Sequence, residues 1–337
     1  MALPLPSFFD AERSASVYRV PYQQRADEAR AWAEAQRLRP AAQDEKRIAL
    51  LLIDVQNTFC LPEFELFVGG RSGRGAVEDT ARIASLLYRR LDRVTQVIAT
   101  LDTHSAAQIF HPVFWLDADG RHPAPHTVIR LEDVENGRYR VNPALAPLVS
   151  PRKDFDLALW GRRYARQLAE GGKYPLVVWP YHSMLGGIGH AMVSLVEEAV
   201  FFHSVARQSP TRLEIKGRHP LTENYSALRP EVARDDRGHP LVPENRELVE
   251  HLLGFDEILV AGEAKSHCVA WTVADLLAEI GARDAVLARR VILLDDCSSP
   301  VVVPGVVDFT DDAEAAYARF AAAGMRRVAS ADWVSGG

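Results

Sequence analysis

The stretch Ile48-Ala-Leu-Leu-Leu-Ile-Asp-Val-Gln-Asn-Thr-Phe-Cys60 decides the fold. Six apolar residues run without alternation into an aspartate, the pattern of a strand buried on both faces rather than one with a wet side. A carboxylate closing such a strand is unfavourable to bury unless a partner or a reaction uses it. Asp54 is therefore either a turn cap or one half of a catalytic pair. Cys60 is the first thiol to weigh as its partner.

Further short apolar runs follow at residues 94–100, 176–179, 213–216, 258–261 and 291–294. They alternate with helical patterns at 77–91, 155–170, 187–207, 244–253, 268–280 and 312–323. Strands alternating with helices predict a three-layer α/β/α fold around a central parallel six-stranded sheet. Ligands of such sheets bind beyond the carboxyl ends of the strands, where Asp54, Asp102 and Lys216 fall. Residues 23–38 are rich in Ala, Glu, Arg and Gln and stop before Pro40, which predicts a helix in an N-terminal arm over residues 1–46. Its large apolar residue, Trp32, predicts packing on the domain or on a neighbouring subunit. Two long loop-rich stretches, 111–153 and 221–243, predict lids or subunit contacts.

The composition is 47% hydrophobic and 25% charged with a formal charge of −6, which argues against nucleic acid or an anionic membrane as the main partner. No apolar run is long enough to span a bilayer. The first ten residues lack the basic and apolar regions of a secretory signal. Three cysteines in 337 residues make no disulfide framework and predict reduced thiols in a cytoplasmic protein.

Cys268 follows a strand and a short turn and opens an apolar helical pattern through Val269, Val273 and Ile280. Free amide groups and the positive dipole end there favour a thiolate and can hold an oxyanion. A small side chain packing the helix start is the competing account. His267 is adjacent, but neighbouring side chains on a turn diverge, so it is expected to be non-catalytic. Cys60 lacks a helix dipole, and Cys297 reads as core or pocket wall. Lys216 closes the strand RLEIK; solvation is the ordinary fate of such a lysine, and beside a carboxylate and a thiol it would stabilise both anions. Asp102 and His104 at a strand end project to one side, and His182 in Trp179-Pro-Tyr-His182 offers a second imidazole. Asp with two His and open positions suits catalytic Zn²⁺, Fe²⁺ or Mn²⁺. His111 is either a further ligand or a loop histidine.

Taken together, these residues resemble the isochorismatase-like cysteine hydrolases, and within them the nicotinamidases. The resemblance runs in order through Asp54-x-Gln-x-x-Phe59, Asp102-x-His104, Trp179-Pro-x-His182, Lys216-Gly217 and Ala264-x-x-x-Cys268. It implies an isochorismatase-like hydrolase domain over residues 47–337, with long insertions at about 112–173 and 226–243. Asp54, Lys216 and Cys268 match the catalytic triad, and Asp102, His104 and His182 match the metal ligands. Glu263–Ala264 matches a non-proline cis peptide, with the Ala264 and Cys268 N–H groups as the oxyanion hole. Phe59, Trp179 and Tyr225 fall where nicotinamidases place aromatics around the pyridine ring.

The implied reaction is hydrolysis of nicotinamide to nicotinate and ammonia through a thioester, within pyridine nucleotide salvage, in a homo-oligomer holding a divalent metal, Zn²⁺ before Fe²⁺ or Mn²⁺. Hydrolysis of another small amide or carbamoyl substrate, or silent ligand binding, are the alternatives. The chain departs from the family pattern at Ser183, where a cysteine usually follows the histidine, and in the long insertion between Asp102-x-His104 and Trp179-Pro-x-His182.

Overall fold

The computed structural model describes residues 2–149, 155–235 and 237–333; positions 150–154 and 236, within the two expected insertions, lie outside them. The core is one six-stranded sheet: β1 (Ile48–Ile53), β2 (Gln96–Asp102), β3 (Arg212–Lys216), β4 (Glu257–Gly262), β5 (Val291–Leu294) and β6 (Arg326–Val328). Every pair is parallel and the order is β6-β5-β4-β1-β2-β3. Strand order therefore reverses between β1 and β4, the switch point at which such sheets open a crevice.

All six residues of β1 are buried. Ala49, Leu51 and Ile53 enter one apolar cluster, and Ile48, Leu50 and Leu52 enter the other. This is what an unbroken apolar run achieves: period-two alternation sends side chains into two cores rather than one. The first core is closed by α3 (Leu157–Glu170), α5 (Arg246–Leu253), α6 (Ala270–Gly281) and α7 (Thr310–Ala322). The second is closed by α2 (Gly75–Arg89) and α4 (Ser194–Arg207). The arm helix α1 (Tyr22–Ala35) lies on α4. Trp32 packs edge-on against Phe202, with ring centroids 6.4 Å apart, so it meets its own chain. Arg25 Nε donates to Glu198 Oε1 at 2.7 Å, and the Tyr18 hydroxyl to Glu198 Oε2 at 2.8 Å. Glu198 is buried, so these two donors and Arg13, 4.0 Å away, hold the arm down through one carboxylate.

Two expectations are corrected. The run at 176–179 is not a strand of the central sheet: Leu176–Val177 pairs antiparallel with Val128–Ile129 of the long insertion. Pro175 and Pro180 bracket it and remove the donors a longer ladder would need. The sixth strand is instead Arg326–Val328, a short edge strand with two arginines. Edge strands are kept short and charged, so this one carries no apolar run to read. Helix bounds otherwise shift by a few residues, and the expected helix at 187–207 is broken into a short turn, Ile188–His190, and α4. No helix among the described residues is long and apolar enough to cross a membrane.

Candidate active site

The register of the sheet sets the site. Ile53 opposes Gly262, which places Asp54 beside the turn that leaves β4. Asp102 opposes Lys216 at the ends of β2 and β3. Asp54 is fully buried and takes a left-handed conformation, φ 49°, which Asp tolerates better than most residues. Its N–H donates to Thr100 Oγ1 at 3.1 Å, and the Thr100 hydroxyl donates back to Asp54 Oδ1 at 2.6 Å. That exchange leaves Asp54 Oδ2 to Lys216.

Lys216 Nζ lies 2.9 Å from Asp54 Oδ2, 2.9 Å from Asp102 Oδ1 and 3.5 Å from Cys268 Sγ. It also donates to the Asn224 carbonyl at 2.8 Å. Burial works against the ammonium, but Asp102 and Asp54 outweigh it and hold Lys216 charged well above its ordinary range. Burial raises Asp54, with Lys216 pulling the other way. Burial also pushes the Cys268 thiol well up, with Lys216 again opposing it and Asp54 and Asp102 adding to it. Dehydration and the two carboxylates thus work against a thiolate at Cys268, and Lys216 works for it.

Cys268 sits in a π-turn, Lys265–Val269, that runs into α6. The Glu263–Ala264 peptide before it is cis. That turn is tied to its surroundings: the Glu263 N–H donates to the Ile53 carbonyl at 2.7 Å, the Lys265 N–H to the Ser299 carbonyl at 2.8 Å, and the Ser299 N–H to Glu263 Oε2 at 3.2 Å. Gly262 has φ 116°, and a Cβ there would lie 2.0 Å from the Ile53 carbonyl oxygen, so only glycine lets β4 pass β1 this closely. The Ala264 N–H makes no hydrogen bond to any described residue, leaving it available to an oxyanion.

Asp102, His104 and His182 converge, with one ligand atom from each lying within 4.8 Å of the others. His104 Nε2 is 2.7 Å and His182 Nε2 3.6 Å from Asp102 Oδ2. His104 Nδ1 meets the Gly217 carbonyl at 3.0 Å and His182 Nδ1 the Pro180 carbonyl at 2.8 Å. Each Nδ1 is placed against a carbonyl, and both Nε2 atoms face the same carboxylate oxygen, the donor set and outer hydrogen bonds a divalent metal uses. Burial lowers His182 and favours its neutral, ligating form. Asp102 is held well below the usual carboxylate range: burial opposes this, but His104 and Lys216 beside it prevail. The residues fit a divalent cation. His111 stands outside the trio. Its Nδ1 meets the Ser105 and Ala106 carbonyls at 3.2 Å, its buried Nε2 has no hydrogen-bond partner among the described residues, and burial pushes its pKa down to about 3.

A narrow cavity joins the thiol to the trio; about 40 Å³ of it is open to the centre of a water-sized sphere. Phe59, Trp179, Tyr225 and Ala264 line it with Cys268, as do Glu223, Asn224 and His267. Phe59 comes from the helical turn Asn57–Cys60 and faces His182, with ring centroids 5.6 Å apart. Cys60, on the same turn, is buried and does not line the cavity, and neither does Cys297.

Sequence reasoning missed Glu223, Asn224 and the placement of His267 in the wall. It also gave no role to Gln56, whose side chain accepts from the Asp102 N–H at 2.8 Å and donates to the Asp102 carbonyl at 2.9 Å, pinning the end of β2. The run Glu223-Asn-Tyr225 shortly after Lys216 carried a signal for the wall, since three polar or aromatic residues there sit next to the lysine that reaches Asp54.

No family model matches the chain, and no curated protein sequence matches it. Solved structures do. A nicotinamidase/pyrazinamidase from Acinetobacter baumanii superposes with a TM-score of 0.51 at 18% identity, covering 87% of this chain and 100% of its own. The yeast nicotinamidase bound to the inhibitor nicotinaldehyde superposes with a TM-score of 0.52 at 18% identity, covering 84% and 99%. The chain has the fold of these proteins.

Proposed function

We propose that the chain is a metal-dependent cysteine amidohydrolase that converts nicotinamide and water to nicotinate and ammonia. One observation carries the reading: a single buried ammonium, Lys216, touches Asp54, Asp102 and Cys268, linking the base behind the wall to a thiol and a ligand trio that line one cavity. The nicotinamidase folds it shares, one of them holding nicotinaldehyde, support the choice of ring. Asp102, His104 and His182 would hold the metal, which when bound supplies a Lewis acid for the pyridine nitrogen.

Phe59, Trp179 and Tyr225 enclose the ring and exclude water. The Asp54 carboxylate takes the Cys268 proton as Sγ attacks the carboxamide carbon. The resulting oxyanion accepts hydrogen bonds from the Ala264 and Cys268 N–H groups. Asp54 returns its proton to the amide nitrogen, the C–N bond breaks, and ammonia leaves a thioester on Cys268. Asp54 then deprotonates a water that attacks the thioester carbon; the C–S bond breaks and the proton returns to Cys268. Lys216 keeps its charge throughout, balancing whichever of Asp54 and Cys268 is the anion.

Ammonia release from nicotinamide should be measured on wild type and Cys268→Ala. The reading predicts release by wild type and a loss of at least about 10³-fold in the variant. Release only from a different amide would assign the site to another substrate. No turnover of any amide would leave a ligand-binding protein.

A further inference from the structure

The two edges of the central sheet are built differently. One is β6, with Arg326 and Arg327; the other is β3, where Leu213 and Ile215 are 57% and 53% exposed. The Lys216 carbonyl accepts from the Thr103 N–H at 2.9 Å, so Lys216 turns its peptide groups to β2, and the strand's alternation does the same for Glu214 and Arg212. Leu213 and Ile215 turn theirs to the open side, as does Thr211 just before the strand. Among the described residues nothing pairs with that side. Unpaired N–H and C=O groups template another strand, and edges are ordinarily protected against this by charge, proline or a bulge. Here the outward-turned residues of the strand are both apolar.

The side chains extend the same surface. Leu213 lines an apolar groove with Leu101 of β2, Val200 and Phe201 of α4, Met192, and Tyr22 of the arm helix. Tyr22 is 47% exposed, and its ring lies edge-on to Phe201 with centroids 4.9 Å apart. Ile215, two residues beyond Leu213, stands on the same face of the sheet. An unpaired backbone and an uncovered apolar groove thus share one border.

The strand is also complementary to itself. Laid antiparallel on a second copy with Leu213 opposite Leu213, it sets Thr211 opposite Ile215 and Arg212 opposite Glu214, each twice. The outward-turned residues then make the hydrogen-bonded pairs, and Arg212 and Glu214 fall in the closer, non-hydrogen-bonded positions. The neighbouring two-fold registers put Arg212 opposite Arg212 or Glu214 opposite Glu214, and like charges directly opposite destabilise a ladder. We propose that β3 joins two copies of this chain edge to edge, about a two-fold axis through the Leu213 pair. That axis stands perpendicular to the sheet, so the two grooves meet side by side and each covers the other's exposed apolar rim. The proposal is independent of the amidohydrolase reading.

Sedimentation velocity of the full chain tests it. Wild type should sediment as a dimer. Leu213→Lys places a charge on the axis at an exposed position and should weaken the dimer by about 10-fold or more in Kd, with circular dichroism unchanged. Arg212→Glu and Glu214→Arg each set like charges across the ladder, so each alone should be monomeric where wild type is dimeric. Mixed in equal amounts they should form a dimer, because each supplies the charge the other lacks. Both variants also break pairs within the chain, where Arg212 meets Glu214 and Glu247. Mixing does not mend those, so recovery reports the contact between copies. A wild type that stays monomeric to roughly 100 μM overturns the proposal. So does a dimer that Leu213→Lys leaves at wild-type strength, which would belong to another surface, or a mixture of the two folded charge variants that recovers nothing. Should either charge variant fail to fold, Leu213→Lys carries the test.

Discussion

Lys216 places one positive charge among three groups that all favour it, and each depends on the others. Asp54 is raised by burial and lowered by Lys216, so its value as a base is the balance of the two. A base must lose its proton before it can act, so kcat/KM should rise with pH through the Asp54 titration, and that acid limb lies above the ordinary aspartate value of 3.8. Lys216→Ala removes the lowering charge and leaves the burial, so the limb should move to higher pH. A pH profile of kcat/KM at saturating metal checks it; a limb that stays in place or moves down contradicts the role given to Lys216. Legibility at this scale was uneven. Asp54 and Cys268 could be read because each closes or follows an apolar run. Glu223 and Asn224 could not, because they reach the cavity wall from a loop that has no apolar run or periodic spacing.

At the scale of elements, the ends of β2 and β3 act as one unit. Gly217 follows β3 with φ 80°, and a Cβ there would lie 2.6 Å from His104 Cε1 and 2.7 Å from Asp102 Oδ1. Its carbonyl also accepts from His104 and, at 3.1 Å, from Gln108 Nε2. Gly217→Ala therefore strains the backbone and displaces two ligands at once. Metal content after dialysis should fall by at least about 10-fold with secondary structure retained by circular dichroism; full metal content would show that the trio does not depend on this close approach. The elements hardest to read were those whose partners lie in the insertion or at an edge. Leu176–Val177 has the composition of a core strand but pairs with Val128–Ile129, and Arg326–Val328 has the composition of a loop but completes the sheet.

Across the whole molecule, the apolar runs specified five of the six sheet strands, and their alternation with helical patterns specified that helices cover both faces. Strand order was not legible, since β1 and β4 have no local feature that pairs them; the ladder runs from Ile48–Glu257 to Ile53–Gly262, where glycine permits the close approach. That pairing brings Asp54 and Cys268 together, separates Cys60 from the cavity and gives the sheet its crevice. The aromatics proposed to enclose the ring come from three distant stretches, at 59, 179 and 225, and line one cavity.

The central claim is a covalent acyl group on one particular sulfur. Wild-type protein mixed with nicotinamide and quenched in acid during turnover should be digested and its cysteine peptides weighed by mass spectrometry. The account predicts a nicotinoyl adduct on the Cys268 peptide, absent from those of Cys60 and Cys297, and accumulating as ammonia is released. Ammonia release with the adduct on another thiol, or with Cys268→Ala still turning over, would contradict it.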